Sequence, residues 1–91
     1  MPTRIPNDPV ALALAALAAT LSDQRRAQRF LDLTGIGTEE LKLGLNDPAL
    51  LAALLRFLEA HEPDLISVAE KLGCKPEELV EARTQLEEGK P

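Results

Sequence analysis

His61 and Cys74 are the only histidine and the only cysteine of this 91-residue chain, so metal or nucleophile chemistry would have to begin with them. A metal site wants His, Cys or carboxylates at defined spacing on one face. His61 stands in Glu59-Ala60-His61-Glu62-Pro63-Asp64, with no cysteine nearby and a proline between the candidate ligands. That setting predicts no metal site and fits a histidine at the end of a helix, complementing its dipole. Cys74 lies between Gly73 and Lys75. A reactive thiol needs an activating base or a strongly positive setting, and the one histidine is far off in sequence. Cys74 therefore reads as a small packing residue. No Gly-rich phosphate loop and no nucleophile elbow is present, and the five glycines read as caps, turns or termini. The expectation is a chain with no catalytic residue, no cofactor and no metal: not an enzyme.

Arg25, Arg26 and Arg29 form the densest basic feature. Residues 25 and 29 lie one helical turn apart, with Arg26 beside them. Guanidinium groups so placed suit bidentate pairing with an anion, an RNA or an acidic protein partner. The plainer reading is a solvated face paired with Asp23, Asp32 or acids of the second half. Phe30 is the only aromatic ring nearby and is expected inside, so no stacking platform for bases is evident. Segment 65–85 has helix-turn-helix spacing, with Ala69, a turn at Gly73, then Leu79 and Ala82. A recognition helix must bring donors and positive charge to the groove. This one carries Glu77, Glu78, Glu81, Glu87 and Glu88 against a single Arg83, which reads as packing rather than DNA binding.

The elements that hold these residues are marked by their punctuation. Leu and Ala dominate the apolar residues, Tyr and Trp are absent, and only two Phe occur, a composition that favours helices over strands. The expected fold is all-α, a compact bundle of five to six short helices. Asp8 caps a first helix opening at Pro9, with Val10, Leu14, Leu17 and Leu21 inward. Ser22 caps a second, ending at Gly35, with Ala27, Phe30, Leu31 and Thr34 buried. Thr38 caps a short third. Asp47 and Pro48 open a fourth, apolar over most of its girth and expected at the centre. Pro63 opens a fifth, with Leu65, Ile66, Ala69 and Leu72 inward. Pro76 opens a sixth, with Leu79, Ala82 and Leu86 inward. Residues 8–88 form a single domain, with a flexible 1–7 segment before it and a frayed 89–91 end.

The halves echo one another. Asp8-Pro9 recurs as Asp47-Pro48, and Gly35-Ile36-Gly37-Thr38-Glu39-Glu40-Leu41 matches Gly73-Cys74-Lys75-Pro76-Glu77-Glu78-Leu79. This spacing suits either two pseudo-repeated three-helix halves or two helix sets capped alike by chance.

The formal net charge is −5. Residues 1–46 hold equal numbers of acids and bases, so residues 47–91 carry the whole excess. An acidic half discourages contact with phosphate backbones. The apolar run Val10–Leu21 is too short to span a bilayer and follows Asn7-Asp8-Pro9 rather than a basic region, which argues against a membrane or secretory segment. One cysteine excludes an internal disulfide and fits the cytoplasm.

Arg29-Phe30-Leu31-Asp32-Leu33-Thr34-Gly35, Asp47-Pro48 with Leu54 to Leu58, and the closing Glu78 to Arg83 resemble a family of short alphaproteobacterial proteins known as a domain of unknown function. The resemblance covers about residues 8–86. It implies a bacterial cytoplasmic helical protein and carries over no activity and no functional residue. The functional expectation is a non-enzymatic protein–protein interaction or adaptor module, with Arg25, Arg26 and Arg29 as candidate partner contacts. The alternative is a small nucleic-acid-binding regulator using those arginines or segment 65–85.

Overall fold

A computed structural model describes residues 8–88, and the expectations for 1–7 and 89–91 lie outside the described residues. Six helices follow in order: α1 (Pro9–Leu21), α2 (Gln24–Thr34), α3 (Thr38–Leu43), α4 (Pro48–Glu59), α5 (Glu62–Leu72) and α6 (Pro76–Glu87). The fold is all-α, as the composition requires.

Local chemistry sets the boundaries. The carboxylates of Asp8 and Asp47 accept the Val10 and Ala49 amide N–H at 3.2 and 3.0 Å, so each satisfies a donor that the first helical turn leaves unpaired. Proline at the start of α1, α4 and α6 forfeits no helical bond. Gly35 and Gly73 end α2 and α5 at φ 72° and 73°, where a side chain would be strained. The sequence expectations need adjusting at three boundaries. Ser22 closes α1, its hydroxyl donating to the Ala19 carbonyl, and Asp23 is the cap of α2, accepting from the Arg26 amide at 3.0 Å. Thr38 lies inside α3; Gly37 stands at the cap, and its amide donates to Glu40. α5 begins at Glu62, since Pro63 serves equally well in its second position.

The core is built by α1, α4, α5 and α6. α4 lies at its centre as expected, with Leu51, Leu54, Leu55 and Leu58 fully enclosed. α6 buries Leu79, Ala82 and Leu86, also as expected. The inward face of α1 differs from the expected one. Leu12, Ala13, Ala16, Leu17, Ala19 and Thr20 are buried, whereas Val10 and Leu14 are half-buried and Leu21 is exposed. α1 packs against α2, α4, α5 and α6. The buried side mixes short and long residues: Ala13, Ala16 and Ala19 admit the neighbouring helices closely, and Leu12 and Leu17 fill the space between them. The one hydroxyl on α1, Thr20, is fully buried and donates back to the Ala16 carbonyl at 2.8 Å. A similar exchange occurs in α5: Val68 is buried and Ile66 is exposed.

The internal echo holds locally. Gly37 and Lys75 each donate an amide to the glutamate three residues on, Leu41 and Leu79 are both buried, and Ile36 and Cys74 both pack against the core. In tertiary packing it stops at the third helix. α6 packs against α1, α4 and α5, whereas α3 is half as long and makes no comparable pairing among the described residues.

Opposite faces of α1 should therefore respond oppositely to added bulk. Ala16→Leu is expected to cost about 1–3 kcal/mol or more by overpacking. Ala18→Leu, on the exposed side, should stay within about 0.5 kcal/mol of the parent. Urea unfolding of the two variants measures both.

Candidate functional site

The three arginines of α2 have different surroundings. Asp64, in the first turn of α5, is only 5% exposed. One of its carboxylate oxygens accepts from Arg26 Nε at 2.9 Å, and the other accepts from Arg29 Nη2. A buried carboxylate needs such partners, and the N-terminal end of α5 adds favourable dipole. The Arg29 guanidinium also lies 5.3 Å from the centroid of the Phe57 ring of α4, a cation–π distance. Phe57 in turn meets Phe30 of α2 edge-on, centroids 5.3 Å apart at 68°. Arg26 and Arg29 thus tie α2 to α4 and α5.

Arg25 projects into solvent with no ion pair among the described residues. An open groove of about 680 Å³ runs along this surface, lined by the three arginines, Asp23, Asp32 and Asp64 with Gln24 and Gln28. Its three positive side chains are matched by three carboxylates. The arrangement holds helices together and is no surplus-positive cradle for an anion. The N-cap role of Asp23 holds its carboxyl below the usual range, chiefly through the Arg26 amide.

A second ion network joins α4 to α6. Arg83 pairs with Glu59 and with Glu87, and Glu87 also pairs with Arg56. The hydrogen bond to Glu59 raises the Arg83 pKa further, and the Arg56 guanidinium lowers that of Glu87. The one arginine of α6 is engaged inside the protein, while Glu77, Glu78, Glu81 and Glu88 face solvent. The second helix of the helix-turn-helix-like segment therefore presents an acidic outer surface.

Cys74 is half-buried, and burial together with the Glu78 carboxylate pushes its thiol up, away from the thiolate. His61 directly follows Ala60, the C-cap of α4, and its amide donates to the Leu58 carbonyl at 3.1 Å; it also stands exposed at the N-cap of α5, with no side-chain capping bond. Among the described residues no group of three His, Cys, Asp or Glu side chains is placed to hold a metal ion. No helix among them is long and apolar enough to cross a membrane.

One surface went unnoticed in the sequence. α1 carries no charged residue, and the side it turns away from the centre holds Val10, Ala11, Leu14 and Ala15, half-buried with Val10 and Leu14 against the edge of the core, together with the exposed Ala18 and Leu21. These positions share one helical arc. Periodicity assigned three of them to the core because both sides of the helix are apolar. Asp64 was equally hidden: its partners lie more than thirty residues away, and nothing local distinguishes it from an ordinary first-turn acid.

A family model described as "Protein of unknown function (DUF3572)" matches residues 6–89, and the chain belongs to that family. No curated protein and no solved structure matches it.

Removing the Asp64 carboxylate leaves two guanidinium groups without their shared partner. Asp64→Ala is expected to cost on the order of 2–4 kcal/mol, below the full value for a buried pair because Arg29 is 41% exposed. Chemical denaturation checks this. Asp23 and Glu87 have folded pKa values below their unfolded ones, so their contribution is complete above those unfolded values. It is lost as pH falls through the folded values, in a window below about pH 4.5. Asp23→Asn keeps the capping oxygen and should shallow that acid limb in urea midpoints measured from neutral pH downward.

Proposed function

We propose that this member of the DUF3572 family is a non-enzymatic protein–protein interaction module, and that its docking surface is the outer face of α1. The observation that carries the reading is the uncharged character of the whole helix combined with burial of only one side. A helix apolar all round is normally enclosed, and apolar surface left outside marks contact sites. The occupant we assign is a helix of a protein partner presenting aliphatic side chains. Val10, Leu14 and Leu21 offer ridges, and Ala11, Ala15 and Ala18 offer grooves for close approach.

Charge supports a protein over a nucleic acid. The net charge is −5 and the outer surface of α6 is acidic. Of the arginines considered as partner contacts, Arg26 and Arg29 are engaged with Asp64, which leaves Arg25 as the available one. Phosphate binding draws on several free cations. A raised thiol pKa at Cys74 and an uncapped, exposed His61 support the non-catalytic part of the reading. The single cysteine supports placement in the reducing cytoplasm.

The test is crosslinking pull-down with the parent and Ala18→Glu, at an exposed position of this face, followed by titration of the purified partner. The reading expects one specific partner, affinity lost by about tenfold or more in Ala18→Glu at unchanged circular dichroism, and weak dependence on salt. Equal affinity of the two proteins would overturn it. So would salt-steep binding to duplex DNA or RNA abolished by Arg25→Glu, which would establish the nucleic-acid alternative; the Arg25 substitution leaves the Asp64 cluster intact.

A further inference from the structure

Burial is unevenly divided along the chain. Of the buried apolar residues described, α2 and α3 supply only Phe30 and Leu41; the others lie on α1, α4, α5 and α6. Leu33 and Leu43 of the same two helices are 71% and 85% exposed. α2 packs against α1 and α4, and α3 has no substantial helix partner among the described residues. Residues 24–43 thus lie against a four-helix core to which they contribute little.

Besides Leu41 and the half-buried Leu31 and Ile36, what holds them is the contact around Phe30 and Asp64. Phe30 is fully enclosed against Phe57, and Arg29 lies over the same ring. Arg26 and Arg29 converge on Asp64, whose carboxylate belongs to the core through α5. Two short hydrogen-bonded connections flank these helices: Ser22 and Asp23 join α1 to α2, and a turn from Gly44 to Asp47 joins α3 to α4. Regions with few buried apolar contacts open at lower free energy than the core they rest on.

We propose that α2 and α3 form an arm that opens as one cooperative unit while α1, α4, α5 and α6 stay folded, with Asp64 as its latch. Opening separates Phe30 from Phe57, which are the only two aromatic residues of the chain. It therefore uncovers an aromatic surface that the closed protein hides. The device is independent of the outer face of α1.

Native-state hydrogen exchange over a series of low denaturant concentrations tests the proposal. In the parent protein the Phe30–Thr34 amides should exchange at least about tenfold faster than the slowest amides of α4 and α6, with a shallower denaturant dependence. In Asp64→Asn the arm amides should speed up by the same factor as global unfolding, because the latch is broken in both events. Two results would overturn the proposal. One is a single exchange isotherm shared by α2, α4 and α6 in the parent protein, which needs no variant to read. The other is an Asp64→Asn protein whose core exchange accelerates while its arm exchange is unchanged.

Discussion

Four helices pack against α1, and the face it turns towards them combines Ala13, Ala16 and Ala19 with Leu12 and Leu17. Ala13 and Ala16 are wholly enclosed and Ala19 nearly so, and Ala52, Ala69 and Ala82 answer them from α4, α5 and α6. Short side chains bring helix axes close, and the leucines of α4 then fill the space between with no polar atom to satisfy. In a chain with two phenylalanines and no tryptophan or tyrosine, this is how a 91-residue domain reaches a dense interior. The same packing fixes what remains outside. With Leu12, Ala13, Ala16, Leu17 and Ala19 committed inward, Val10 and Leu14 flank the core half-buried, and Ala18 and Leu21 are the apolar residues of α1 that stand exposed.

Electrostatics divides the molecule along a different line. The excess acid of the second half is not simply a solubilising coat. Asp64 fastens α2, and Glu59 and Glu87 fasten α6 to α4 through Arg83 and Arg56. The first attachment is buried and joins a sparsely packed arm to the core, so losing it has structural reach. The second lies mostly near the surface, where such pairs contribute little individually. Among the described residues, what remains without an ion pair on the outside of α6 is negative, and on α2 it is Arg25 and Asp32, one charge of each sign.

Local punctuation carried most of the legible information. Asp8, Asp47, the helix-opening prolines and the two left-handed glycines act within three or four residues of themselves, and the helices fall where they indicate. Faces were legible only where one side was polar. In α6 the glutamates left a single choice, and Leu79, Ala82 and Leu86 lie inside. In α1 both sides are apolar, so spacing favoured the larger residues and passed over the alanines. The arginine triplet is visible as a cluster, and its charge allows pairing with the acidic half. The identity of Asp64 was not visible, because it depends on α5 crossing α2. The echo between halves likewise marks real turns but says nothing of α3 being too short to pack as α6 does.

Family membership supplies a boundary for the domain and no activity, so any account of function rests on the two faces of α1. Solvent paramagnetic relaxation of the alanine methyls, measured with a neutral soluble gadolinium chelate, examines them in one experiment. Strong relaxation is expected at Ala18, intermediate relaxation at Ala11 and Ala15, and protection at Ala13, Ala16 and Ala19. Relaxation of Ala13 and Ala16 as strong as that of Ala18, or protection of Ala18, would contradict this placement of the helix.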